Sequence, residues 1–254
     1  MKFPAADDFF LTQNIVNELT DAEAAQSTDF LQVVKAFENT TYQSMYVIDY
    51  LKQGFDYVSD NRLFLCGRTP EEIVAMGYEF YIHHAPTQDQ ELLLKINEVG
   101  FKFYDDIPVA DRKQYSITYD FHLITAEKRK ILVNHKYTPI FLTDEGKIWK
   151  ALCIFSLSNN TEAGNIQIQR QGSNIIHGYD EVSEVWKTRE KVNLSSRETE
   201  ILMYASQGLS INEIGDKMCI APDTVKFHRK KLFEKLEVPN ISQAIAVATS
   251  YKLI

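Results

Sequence analysis

The sequence predicts an α+β chain: an N-terminal five-stranded antiparallel sheet with helices, followed by an all-α unit of four helices. Three observations carry that prediction. Of the 30 aromatic residues, only Tyr204, Phe227, Phe233 and Tyr251 fall after residue 191. Strand-length runs rich in β-branched and aromatic residues fill the earlier part, whereas the remainder shows helix caps and helical spacing. Charge divides at the same place: from Val192 onward 8 Lys/Arg meet 7 Asp/Glu, and the whole net charge of −8 lies in the earlier part, which carries −9.

Taken in order, residues up to about 42 read as helical, with Phe30, Val33, Val34 and Phe37 at helical spacing. SMYVIDY (44–50) reads as a strand, Gly54 as a break, and FDYVSDN (55–61) as a second strand. In GRTPEEI (67–73), Gly67 closes one turn, Thr69 caps a helix and Pro70 takes its first position, with acids in the first turn. A longer helix is expected from near Thr87 to Val99, then a polar loop, DDIPVADRK. Three strands follow, at 115–124, 131–142 and 148–158, joined by hairpin turns at TAEKRK and TDEGK. Residues 159–192 read as a connecting segment. NIQIQR is one more strand, and 177–192, with Val182, Val185 and Trp186, is a helix or docking segment.

The C-terminal part is legible through its caps. Ser195 with Glu198, and Ser210 with Glu213, are capping boxes that open two short helices, and Gly208 supplies a left-handed stop between them. Pro222 opens a third helix running to about Leu236; Val238 and Pro239 break it, and Asn240 with Gln243 caps a fourth that reaches Tyr251. Two short helices joined by a tight turn, the second basic, form a helix-turn-helix pattern.

The third helix has two distinct sides. At about 100° per residue, with Val225 as origin, Leu232 and Leu236 fall within about 20° of it, whereas Lys226, Lys230 and Phe227 fall at about 100°, 140° and 200°. His228 sits on the edge of the apolar stripe. Two cations beside an outward aromatic suit a DNA major groove, where lysine donates to guanine O6/N7 and Phe227 meets a thymine methyl. Thr224, Arg229 and Lys231 lie at the shoulders, where phosphates run.

These residues resemble the LuxR/GerE-type helix-turn-helix of bacterial transcription regulators, over Leu194 to Ala248. The likeness rests on Leu194, Arg197, Glu198, Ile201, Leu202, Gly208, Ser210, Glu213 and Ile214. It continues through Ile220, Thr224, Val225, Lys226, His228, Lys235, Leu236, Val238 and Ala244. The resemblance implies a four-helix DNA-binding domain at 193–254 that acts as a dimer on double-stranded DNA, with RNA polymerase as a further partner. Two positions depart from the pattern. Ala221 stands where a capping Ser is common, which forgoes about 1 kcal/mol, and Ile241 stands where many members carry Arg. The fourth helix is apolar on more than one side, so Ile241, Ala244, Val247, Ala248 and Tyr251 are the expected dimerisation residues.

The N-terminal order, two strands, short helices and a three-strand meander, resembles a PAS sensor domain over Thr41 to Ser158, carried by GRTPEEI and by the turn at Asp144, Glu145 and Gly146. With its helical extension it is assigned to 1–158. The resemblance implies a small-molecule pocket or a dimerisation role. No motif calls for a cofactor: Cys66, in LFLCG, lacks the Asn-Cys-Arg context of a flavin photosensor. His83 and His84 read as loop histidines rather than as haem ligands or, with Asp89, metal ligands. Tyr119, Phe121 and His122 read as sheet packing before pocket lining, and Trp149, Ala151, Cys153 and Phe155 as one core face.

The composition, 44% hydrophobic and 24% charged, is that of a folded chain. Three dispersed cysteines, Cys66, Cys153 and Cys219, exclude a disulfide scaffold and suit a reducing cytoplasm. No apolar run is long enough to span a membrane, and the acids in MKFPAADDFF do not fit a signal peptide. The expected function is a cytoplasmic, sequence-specific transcription regulator governed by its sensory or dimerisation domain. The alternatives are a protein-binding helical module without DNA contact and a response regulator with a degenerate input domain, although Asp7 and Asp8 follow no strand. An enzyme is not expected: there is no Ser/His/Asp spacing, Gly-rich phosphate loop or metal motif.

Overall fold

Antiparallel pairing organises everything before residue 190. In the computed structural model, which describes residues 4–10, 12–251 and 253–254, the chain divides between Arg189 and Glu190 into two units. Residues 1–3, the start of the stretch compared with a signal peptide, lie outside the described residues.

The early helical region is broken into pieces. Two 3₁₀ turns, Ala6–Phe9 and Thr12–Asn14, precede α1 (Asp21–Ala25) and α2 (Phe30–Glu38). A capping box of Thr20 with Glu23 starts α1, and Asp29, at φ 64°, interrupts the chain before α2. On α2, Val34 is buried and Phe30 meets Phe141 at 5.2 Å, while Val33 and Phe37 face outward. Then follow β1 (Ser44–Asp49), β2 (Gly54–Val58), α3 (Arg62–Leu65), α4 (Pro70–Met76), α5 (Glu79–His84) and α6 (Thr87–Asp105). Thr69 caps α4 and Pro70 opens it, as the sequence predicts. The polar loop contains a 3₁₀ turn, Val109–Gln114. The meander is β3 (Tyr115–Ile124), β4 (Lys130–Leu142) and β5 (Ile148–Leu157).

The five expected strands are present, but the sheet does not stop there. β6 (Gly164–Arg170), β7 (Ile175–Asp180) and β8 (Val185–Glu190) extend it to eight strands in the order β2-β1-β5-β4-β3-β6-β7-β8. The helix-or-docking reading of 177–192 is therefore corrected. Trp186 packs on Phe103 and Tyr179 at 5.0 and 5.1 Å from a hairpin, with Val182 fully exposed at its turn and Glu184 left-handed at φ 54°. A side-chain spacing that suits a helical face here serves a hairpin instead. The return of the chain to β3 is pinned by buried Asp120, whose carboxylate accepts hydrogen bonds from the amides of Asn134, Asn160 and Asn165.

The core lies between the sheet and α3–α6. Tyr46, Phe64 and Phe155 stack at 4.7–4.8 Å, and Trp149, Ala151, Cys153 and Phe155 are all buried. Burial pushes the Cys66 thiol up to about 12, which makes it an inert core group. His83 and His84 belong to α5 rather than to a loop, and His84 Nδ1 lies 3.2 Å from the Ile124 carbonyl. Asp89 joins neither of them; its carboxylate accepts the main-chain N–H of His122 at 2.6 Å and lies 2.8 Å from that ring's Nδ1. Among the described residues, no three His, Cys, Asp or Glu side chains gather into a metal site. No described helix is long and apolar enough to cross a membrane.

The second unit is all helical: α7 (Ser196–Ser206), α8 (Ile211–Met218), α9 (Pro222–Leu236) and α10 (Ile241–Ser250). Both capping boxes form, and Gln243 N–H donates to Asn240 Oδ1 at 2.9 Å. Its core has two parts. Ile201, Ile214, Met218 and Val225 join α7, α8 and α9, while Leu202, Leu232, Leu236, Ala244 and Ala248 join α7, α9 and α10.

Candidate nucleic-acid interface

Two devices set the angle at which α9 leaves α8. Cys219 takes the left-handed conformation at φ 53°, and its N–H returns to Asp216 and Gly215 carbonyls, closing α8. Gly215 then lets the turn come close: a Cβ there would lie 2.8 Å from the Ile220 carbonyl oxygen and 3.5 Å from Pro222 N. Nothing in the helical period of α8 signals this; the tight turn is the only hint.

On α9 the apolar stripe is inside, with Val225 and Leu232 fully buried and Leu236 nearly so. On the outer side Thr224, Lys226, Phe227, Lys230 and Lys231 are exposed. Phe227 is 54% exposed, a large apolar ring held in water. The cations have weak local partners. Lys226 Nζ lies 2.9 Å from Asp223, Lys230 Nζ 3.9 Å from Glu234, and Lys231 Nζ 4.5 Å over the Phe227 ring. Exposed pairs of this kind are weak in water, so an incoming anion would displace them at little cost. Lys226 beside Asp223 holds that carboxyl below its usual range. Arg229 is half-buried, its guanidinium 5.7 Å from the Phe233 ring, nearer the apolar stripe than the other cations. His228 is also half-buried and meets Phe227 edge-on at 5.7 Å. Ala221 caps α9 with no side-chain hydrogen bond, as the sequence indicates. This leaves the helix's positive end open to an anion.

Lys235 is basic but serves the scaffold: its Nζ lies 2.7 Å from Glu198 Oε2, a carboxylate only 3% exposed. Burial alone would raise the Glu198 pKa, yet the hydrogen bonds from Lys235 and Ser195 outweigh it and hold the carboxyl below its usual range.

The expected dimerisation set separates. Ala244 and Ala248 are fully buried inside the unit's own core, packed with Leu202 and Leu232, so they are corrected to core residues. Small side chains at this i, i+4 spacing let α10 approach α7 and α9 closely. Ile241 and Val247 are half-buried and Tyr251 is 36% exposed.

Residues 192–248 match the family described as "Bacterial regulatory proteins, luxR family", and this part of the chain is a helix-turn-helix domain of that family. The transcriptional activator protein EsaR of Pantoea stewartii is 41% identical over 68 residues, 27% of this chain and 27% of that protein. The transcriptional activator protein ExpR of Dickeya dadantii is 27% identical over 181 residues, 65% of this chain and 70% of its own length. Among solved structures, a Vibrio cholerae VqmA dimer is 16% identical over 86% of each chain, with a TM-score of 0.32. The match to EsaR spans about a quarter of that relative's length.

Proposed function

We propose that the chain is a sequence-specific DNA-binding transcription regulator, not an enzyme. In this reading α9 enters the major groove with Lys226 and Lys230 on guanine edges and Phe227 on a thymine methyl, while Thr224, Arg229 and Lys231 hold phosphates. One observation carries it: exposed Lys226, Phe227 and Lys230 share a side of a helix whose other side, Val225, Leu232 and Leu236, is buried. The luxR-family match to the same helices supports it. Double-stranded DNA, a second copy of the chain and RNA polymerase are its partners. In the dimer, Ile241, Val247 and Tyr251 meet their counterparts.

The N-terminal unit, in this reading, is a PAS-like sensor that controls DNA binding. The two-strand, helical, three-strand order that carries the resemblance is present between Ser44 and Leu157, and the domain boundary falls near Arg189. Titration of the full chain against duplex DNA at increasing salt tests the reading. Log affinity should fall linearly with log salt, with a slope of about −0.9 per phosphate contacted. Binding that is absent, or indifferent to salt, removes the proposal.

A further inference from the structure

Among the described residues, deeply buried acids have a cation beside them, with one exception. Asp49, Asp89 and Glu198, at most 3% exposed, each have a lysine or histidine nitrogen within 3.0 Å. Asp120, fully buried on β3, makes no ion pair. Its hydrogen bonds are complete. Oδ1 accepts from the Asn134 amide at 2.9 Å, and Oδ2 from those of Asn160 and Asn165 at 2.5 and 3.0 Å. Neutral amides satisfy the oxygens but leave the charge uncompensated, and a buried charge is ordinarily paired or bound to a metal. Asp120 sits where the β3–β6 register slips, with Asn134 opposite on β4, Asn160 in the loop before β6 and Asn165 at its start. Gly164 and Asn165, at φ 98° and 53°, fold that loop back over the carboxylate. Asn160, Glu162 and Asn165 are exposed, so the carboxylate lies one side chain below the surface. The loop also walls an open cleft lined by four glutamates and Asp89 against two lysines, a field that draws cations to it.

We propose that Asp120 and its three asparagines bind a calcium ion. An asparagine amide presents its nitrogen or its oxygen by a half-turn about its last bond. With nitrogens inward the three amides serve the carboxylate; with oxygens inward they serve a cation that the carboxylate holds. The Thr118 hydroxyl lies 3.1 and 3.3 Å from the amide nitrogen and oxygen of Asn134 and can accept or donate, so it suits either orientation. The Glu162 carbonyl, 2.9 Å from the Asn165 amide nitrogen, then turns from hydrogen-bond acceptor to ligand. Two carboxylate oxygens, three amide oxygens and this carbonyl fall within the roughly six to eight ligands that calcium takes. All are hard oxygen donors, with no thiol or imidazole to favour zinc or copper. Oxygens around a calcium stand about 3 Å apart, close to the spacing already present, whereas magnesium demands a tighter octahedron. A single carboxylate places the affinity at the weak end, with Kd about 0.1–1 mM. The ion ties the loop before β6 to the meander, and with it the strands that extend the sheet.

Calorimetric titration of the chelator-treated full chain with CaCl2 and with MgCl2, at fixed ionic strength, tests the site. Saturable calcium binding is expected, at least about tenfold weaker for magnesium. About 10 mM calcium should raise the melting temperature by about 2–4 °C. Asp120→Asn keeps the shape, removes the charge and should abolish both responses. Because that change lies inside the sheet, exposed Asn160 supplies a second variant. Asn160→Asp sets another carboxylate against Asp120, so in chelator it should melt below wild type. It should also bind calcium about tenfold more tightly and regain the lost degrees when calcium is added. A clamp made only of hydrogen bonds would show the lower melting temperature without the recovery. No saturable calcium binding in wild type, an equal response to magnesium, a folded Asp120→Asn that binds calcium as before, or an Asn160→Asp without gain in affinity overturns the proposal. None of these readouts involves DNA, so each outcome leaves the regulator reading untouched.

Discussion

Lys235 Nζ, near the end of α9, lies 2.7 Å from Glu198 Oε2 in the first turn of α7, and 3.3 Å from the Asn193 carbonyl. The same carboxylate oxygen accepts the Ser195 N–H at 2.8 Å, so one buried acid serves both the helix cap and the link to α9. Lys235→Ala leaves that carboxylate, 3% exposed, without its cation. Because Lys235 itself is partly in water, the expected loss is about 1–2 kcal/mol, read by urea unfolding of the full chain. Lys235→Arg should recover part of it; an unchanged midpoint in Lys235→Ala shows that the pair is ornamental.

At Gly215 two effects of opposite sign meet. Ala is better than Gly in a helix by about 1 kcal/mol, but the new methyl would lie 2.8 Å from the Ile220 carbonyl oxygen, a backbone atom that cannot rotate away. Overpacking of this kind costs about 1–3 kcal/mol, so a net loss is expected for Gly215→Ala. DNA affinity should fall more than stability, since α9 must tilt to make room. A more stable variant with wild-type DNA affinity contradicts the close approach.

Lys230 is the most exposed of the ion-paired lysines on α9, at 80%, and its partner Glu234 lies 3.9 Å away. Lys230→Ala should cost about 1–3 kcal/mol of operator binding and relax preference at one base position. Stability stays within about 0.5 kcal/mol of wild type. Competition between operator and random duplex checks it, and an unchanged ratio removes Lys230 from the base edges.

His135 gives the N-terminal unit a pH dependence. Burial lowers its pKa from 6.5 to about 3. Below pH 6.5 the unfolded chain therefore binds a proton that the folded one refuses. The stability tied to this neutral ring is complete above pH 6.5 and is lost as pH falls toward 3, about 2 kcal/mol by pH 5. Urea midpoints at pH 7 and 5 measure it. His135→Phe should flatten that part of the slope, and an imidazole resonance of folded protein titrating near 6.5 at this position rules the mechanism out.

Much of the fold is legible in the residues themselves. Thr69 with Pro70, Ser195 with Glu198 and Ser210 with Glu213 mark helix starts because cap and backbone lie within three residues of each other. The meander is readable because its turns sit between strands of clear alternation. The two sides of α9 follow from the helical repeat alone. Other features have no local signal. Val182, Val185 and Trp186 fit a helix face as well as a hairpin, and Phe103, which the hairpin covers, lies some 80 residues earlier in the chain. Ala244 and Ala248 resemble partner-facing residues because nothing nearby in sequence shows that Leu202 and Leu232 already cover them.

By itself, then, the sequence determined where α4 and α7–α10 begin, and which side of α9 is basic, since those properties depend on hydrogen bonds and side-chain periods spanning a few residues. Tertiary structure alone decided that the sheet has eight strands, that α10 buries its alanines, and that the Tyr104 hydroxyl and His135 Nδ1 are buried without hydrogen-bond partners. Each of these depends on contacts between segments far apart in the chain, where burial is settled by whichever surfaces meet.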